Sequence, residues 1–205
     1  MLACQSHYVP LAIQKYFSNR FLDLLYLGNL RSKIDEVEPL LRDADLMAFN
    51  ITAIRQSDAP AQKAASPNGL FGEEACQISR YAGMSDKLSS IGFYGFEKEK
   101  DRANQSSQLV AQMVWYFLDG FYNRKHDFPK STDNLVEYIV DQKDLDHQII
   151  FWKSTKSGRW WMQVPTKSRK KFERHLLIPC SHQDYVTASQ GELPERLINA
   201  YQRFL

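Results

Sequence analysis

The stretch DLMAFNITAIRQSDAPAQKAASPNG, Asp45 to Gly69, decides the fold. It opens with an apolar run, Leu46-Met47-Ala48-Phe49, that is too short for a helix and suits a fully buried parallel strand. Its character then changes abruptly to Asn50, Thr52, Arg55, Ser57 and Asp58, followed by Pro60, Pro67, Asn68 and Gly69. In open α/β sheets, polar residues just past the carboxyl end of a buried strand lie where ligands bind. Any chemistry in the molecule is therefore expected there first.

Working outward, LDLLYLG (22–28) reads as a preceding apolar strand, and Ser32-Lys33-Ile34-Asp35 resembles a capping box. That box would open a helix carrying Ile34, Val37, Leu40 and Leu41, so strand, helix and strand would join by a parallel crossover. Residues 10–20 read as a short amphipathic helix with Leu11, Ile13, Tyr16 and Phe17, and no strand is expected before it. Downstream, Leu70 to Ala82 forms a helix with Glu73 and Glu74 in its first turn and Gly83 as its C′ stop. Leu88 to Tyr94 is the next strand. A long helix runs from Ser106 to about Arg124, and its Leu109, Val110, Met113, Val114, Phe117, Leu118 and Phe121 read as core packing.

At His126-Asp127-Phe128-Pro129 the style changes to short β-branched and aromatic runs, LVEYIVDQ, HQIIFWKS and RWWMQVP. Gly158 supplies a hairpin turn between the last two, and a helix over Leu193 to Phe204 has Pro194 in its first turn. The expected architecture is a piece of an α/β domain over 1–128, followed by a small, mainly antiparallel α+β extension over 129–205.

Composition limits the function. Of 205 residues, 43% are hydrophobic and 24% charged, ordinary for a globular chain, and a net charge of +2 argues against nucleic acid or an anionic membrane. No apolar run reaches the roughly 18 residues of a membrane span, and the N-terminus does not read as a signal peptide. Cys4, Cys76 and Cys180 are odd in number and widely spaced, which fits reduced thiols in a cytoplasmic setting. Lys167, Arg169, Lys170, Lys171 and Arg174 form a basic run near Trp160 and Trp161, read as a solvated loop. His175, Cys180 and His182 lack the spacing and the fourth ligand of a zinc site.

The wording FNITAIRQSDAP, GEEACQISRYAGMSDK, SSIGFYGFEKEKD and AQMVWYFLDGFYNRK resembles the C-terminal half of the ureohydrolase family, which includes arginase, agmatinase and formimidoylglutamase. Within it, the likeness is to an arginase-like branch with an extra C-terminal segment. The resemblance implies an arginase-like α/β domain, an incomplete doubly wound parallel sheet over 1–128, and two Mn²⁺ ions at the carboxyl ends of its strands. A bridging hydroxide would attack a guanidino or formimino carbon.

The departures from the family pattern matter as much. The family's Asp-x-Asp metal pair falls on Asn50 and Thr52, and its glutamate after the next strand falls on Gly95. Its upstream Gly-Gly-Asp-His and Asp-x-His-x-Asp motifs have no counterpart in the chain. Mn²⁺ prefers hard anionic ligands with some imidazole, so on these residues it would be held weakly. Two readings of the loop stay open. Asp58 could be a rebuilt metal ligand while Arg55 and Ser57 bind substrate, Arg55 forking onto a carboxylate. Otherwise Arg55 and Asp58 pair with each other or cap the turn at Asn68. A half sheet also leaves an open edge, so the chain is expected to be a remnant or one half of a split protein. Its partner would be a second copy of itself or a complementary N-terminal half.

Overall fold

A computed structural model describes residues 1–129, 131–141, 148–164 and 177–204. They form two compact units, Met1–Phe17 with Asp23–Arg124, and Ser18–Leu22 with Lys125–Leu205.

The first unit begins with β1 (Leu2–Cys4), a strand that the three-residue apolar run was too short to signal. It pairs in parallel with β2 (Leu25–Tyr26). Between them lies α1 (Leu11–Ser18), none of whose residues is buried. The expected strand over 22–28 is cut short because Leu27 already starts α2 (Leu27–Ser32), which buries Leu27 and Leu30. Ser32 therefore ends a helix and does not open one. Its hydroxyl donates back to the Asn29 carbonyl, and the chain enters α3 (Val37–Arg42) through a 3₁₀ turn over Ile34–Glu36.

The crossover predicted between β2 and the Leu46 strand is also corrected. β3 (Leu46–Asn50) pairs with β4 (Ser90–Tyr94), in parallel and in unbroken register from Leu46↔Ser90 to Asn50↔Tyr94. The connection between them is α4 (Gly72–Met84). It buries Ala75, Ile78, Ser79 and Ala82, the spacing of one helical face. The Glu74 carboxylate accepts from the Phe71 N–H at 2.7 Å, satisfying a donor that the first turn would leave unpaired.

Helix α5 (Gln105–Tyr122) packs along α4. Gly83 is a buried contact residue inside α4 and not its C′ stop: a Cβ there would run into the Phe117 carbonyl of α5. Gly120 meets the Arg80 carbonyl of α4 in the same way. Two glycines thus allow two helix backbones to approach closely. The α5 stripe is only partly core. Met113 is fully buried, but Val114, Leu118 and Phe121 are exposed. The buried reading of β3 fails likewise, since Phe49 is its one buried residue and Leu46 is 65% exposed. A two-stranded sheet has no flanking strands, and here it lacks the layers that cover both faces of a larger parallel sheet.

The second unit is a four-stranded antiparallel sheet in the order β5 (Leu135–Val140), β6 (Ile149–Ser154), β7 (Trp160–Gln163) and β8 (Leu177–Cys180). Gly158, at φ +75°, makes the β6–β7 turn, and the Ser154 N–H donates to the Arg159 carbonyl at 2.8 Å. The sequence reading missed β8 and α6 (His182–Ser189), whose Ser181 and Asp184 form a reciprocal capping box. α7 (Glu195–Phe204) starts directly after Pro194. Ile149, Phe151, Trp160, Met162, Val164 and Leu197 build this unit's core. The basic run 167–174 and His175 lie outside the described residues.

Candidate functional site

The parallel pairing of β3 with β4 brings their carboxyl ends together, because Asn50 is in register with Tyr94 and Gly95 follows directly. Asn50 is the cap of a 3₁₀ turn over Ile51–Ala53. Its side-chain oxygen accepts from the Thr52 N–H at 3.0 Å and from the Thr52 hydroxyl at 2.9 Å. Gly95 has φ +80°, a conformation that glycine adopts without steric cost. A Cβ there would run into the same Asn50 oxygen. The three residues form one closed arrangement in which Asn50 bonds Thr52 and borders Gly95.

These residues do not fit Mn²⁺. The one good oxygen, on Asn50, already serves two donors; Thr52 offers a neutral hydroxyl, and Gly95 offers nothing. Among the described residues, no three His, Cys, Asp or Glu side chains are grouped to hold a metal ion.

The loop residues stand apart from this turn. Arg55 Nε donates to Asp58 Oδ1 at 2.7 Å, and the Ser57 hydroxyl donates to the same oxygen at 2.9 Å. Asp58 Oδ2 accepts from the Gly72 N–H at 2.9 Å, so the aspartate also caps α4. Burial pushes the Asp58 carboxyl up, but the bonds from Arg55, Gly72 and Ser57 outweigh it and hold the group below its ordinary range. No hydrogen bond joins Asp58 to Asn50, so the structure unites Arg55, Ser57 and Asp58 and leaves them separate from Asn50, Thr52 and Gly95. The Arg55 guanidinium lies 4.2 Å from the centre of the Phe71 ring, which Arg31 also stacks on, at 3.9 Å. The terminal nitrogens of Arg55 have no partner among the described residues.

Arg55 and Asp58 line a cavity of ≈ 550 Å³ along α4 and α5, together with Glu73, Cys76, Gln108 and Gln112. The cavity escaped the sequence reading. Its signal was present in Gln105, Gln108 and Gln112, a polar row at i, i+3 and i+7 beside the apolar stripe of the helix. Burial, and secondarily the Glu73 charge, push the Cys76 thiol up, so it stays protonated at neutral pH.

With the geometry in view, the class is that of arginase-like α/β folds. The formimidoylglutamase of Bacillus subtilis superposes on 60% of this chain and 41% of its own, with a TM-score of 0.55 and 20% identity. The Trypanosoma cruzi formiminoglutamase, crystallised with Mn²⁺, covers 60% of this chain and 43% of its own, with a TM-score of 0.54 and 21% identity. In sequence, the formimidoylglutamase of Staphylococcus haemolyticus is 31% identical over 114 residues, 52% of this chain and 37% of that protein. No family model matches the chain. The sequence relative is a formimidoylglutamase and the solved structures share the arginase-like fold, each over only part of this chain. The chain spans little more than a third of that staphylococcal relative's length.

Proposed function

We propose that this chain is a ureohydrolase-family protein that does not itself hydrolyse guanidino or formimino C–N bonds and that acts through association. The observation that carries the reading is the Asn50 turn, in which the side chain at the family's metal position is spent on Thr52 and borders Gly95. An Asn and a Thr in place of two carboxylates remove the anionic charge that would hold Mn²⁺ and acidify its bound water.

The partner that fits is a polypeptide carrying the remainder of an arginase-like sheet. Among the described residues β3 and β4 pair only with each other, and Leu46 and Tyr94 are 65% and 57% exposed. Unpaired strand edges of this kind recruit further strands. The matched structures have more than half of their chains beyond the region shared with this one. The alternative reading, formimidoylglutamase-like hydrolysis, requires that the missing carboxylates and imidazoles come from outside these residues. A cytoplasmic setting and a division near residue 128 belong to the same proposal; Cys4, Cys76 and Cys180 form no disulfide among the described residues.

Calorimetric titration of the pure chain with Mn²⁺ at neutral pH tests the reading, alongside turnover of arginine, agmatine and formimidoylglutamate. The expected outcome is no turnover and no saturable binding tighter than about 10 μM, which corresponds to roughly 7 kcal/mol. Turnover above blank by the chain alone overturns the proposal.

A further inference from the structure

A second site is suggested by the cavity along α4 and α5, away from the Asn50 turn. We propose that this cavity binds a small zwitterion, its carboxylate held by Arg55 and its cationic group by Glu73, without chemical conversion. The inference goes beyond the association role and does not depend on it.

The cavity is of a size usual for small-molecule sites. Arg55 is held in place without being used up. Its Nε is fixed by Asp58 and its plane by Phe71, while its terminal nitrogens remain available among the described residues. A guanidinium held this way presents a planar pair of donors to a carboxylate with little ordering left to do. Asp58 is in turn anchored by the Gly72 N–H, and Gln105 donates to the Ser57 carbonyl at 2.5 Å, tying the loop to α5.

Glu73, on the exposed side of α4's first turn, has no hydrogen-bond or ion-pair partner among the described residues. Along α5, Gln108 and Gln112 likewise have unengaged amides, while Cys76 and Leu109 give an apolar wall. Arg80 also lines the cavity but is paired with Asp119 at 2.7 Å. The wall charges balance, Arg55 and Arg80 against Asp58 and Glu73. A dianion such as phosphate or a dicarboxylate would meet Asp58 and Glu73, and a diamine would meet both arginines. A molecule with one charge of each sign satisfies Arg55 and Glu73 together.

The experiment is calorimetry on the full chain with chelator present, using L-glutamine as the zwitterion, succinate as the dianion and putrescine as the dication. L-glutamine is expected to bind one to one and at least tenfold tighter than either comparison compound. Arg55→Lys, which keeps the charge and loses the fork, and Glu73→Gln should each weaken it about tenfold, with circular dichroism unchanged. Heteronuclear spectra should show the Gln108 and Gln112 side-chain amides shifting with the same saturation curve. Should Arg55→Lys fail to fold, the paired substitution of these two exposed glutamines by alanine carries the test. No saturation below about 10 mM, equal binding of succinate, or full affinity in the folded variants overturns the proposal. Because metal is excluded and no turnover is read, failure here leaves the non-hydrolytic reading untouched.

Discussion

The two units invert the usual rule about which strands are buried. Parallel sheets are normally covered on both faces, whereas antiparallel ones tolerate water on one. Here the two central antiparallel strands are the buried ones. β6 hides Ile149, Phe151 and Ser154, and β7 hides Trp160, Trp161 and Met162. In the parallel pair only Phe49 is buried, and Leu46 and Tyr94 face solvent. The first unit's core has moved off its sheet to the α4–α5 contact and the helices beside it. The C-terminal sheet closes a core with its own two helices. The parallel pair leaves most of its residues partly or fully exposed.

Five experiments would break or sharpen this contrast. The largest effect is expected for Phe151→Ala, which empties a fully buried ring position in the second unit. A loss of about 3–5 kcal/mol should appear in chemical denaturation, confined to one of two transitions. If both transitions move together, the units are not energetically separate. Next, Gly120→Val forces a side chain against the Arg80 carbonyl and should cost about 1–3 kcal/mol or more by pushing α5 off α4. A neutral result would mean that the close helix contact does not hold the first unit together.

Asp58→Asn should cost about 1 kcal/mol at neutral pH once solvent screening is allowed for. The native carboxyl lies below its ordinary value, so its contribution is complete above the unfolded pKa of roughly 4. It is lost as pH falls through the folded pKa. Melting curves of wild type and variant should therefore converge in acid, and a constant gap down to low pH would contradict the bonding described.

Tyr81 offers the opposite sign at high pH. Burial, then the bond its hydroxyl donates to Asp35 at 2.6 Å, raise its pKa to about 12. The stability it adds is present below the unfolded value of roughly 10 and declines as pH rises through the folded one. Tyrosinate absorbance should show one late-titrating group that disappears in Tyr81→Phe. The smallest effect belongs to Leu46→Ser, within about 0.5 kcal/mol for the chain alone, because the residue is exposed. A loss of several times that amount would mean that β3 is covered in solution, and analytical ultracentrifugation would then reveal the second polypeptide.

Much of this was legible in the residues. The change from Leu46-Met47-Ala48-Phe49 to Asn50 and Thr52 located the strand and the polar end that follows it, because burial and solvation demand different side chains. The aromatic runs after Phe128 announced an antiparallel extension, since β-branched and aromatic residues suit a pleated surface. The resemblance to ureohydrolases rested on local wording, and the matched relatives agree with it. The pairing of Arg55 with Asp58 was one of two open alternatives, and separation by three residues made it geometrically accessible.

Other features depended on groups distant in sequence. Gly83 and Ser32 carry ordinary helix-end signals, yet one serves a helix crossing and the other closes a turn, because partners far along the chain decide which use prevails. How far β3 and α5 are buried could not be read from their apolar residues, since a hydrophobic pattern states what could be covered and only the neighbouring elements determine what is. The α4–α5 cavity arises from segments far apart in sequence, as does the meeting of Asn50 with Gly95 across a parallel pair. By itself the sequence determined the family resemblance, the order of α/β and antiparallel regions and the loss of carboxylates at 50 and 52. The tertiary structure decided that Asn50 is already engaged, that Gly95 makes room for it, and that Arg55 stands in a separate cavity. Such contacts depend on through-space distance, which side-chain periodicity does not encode.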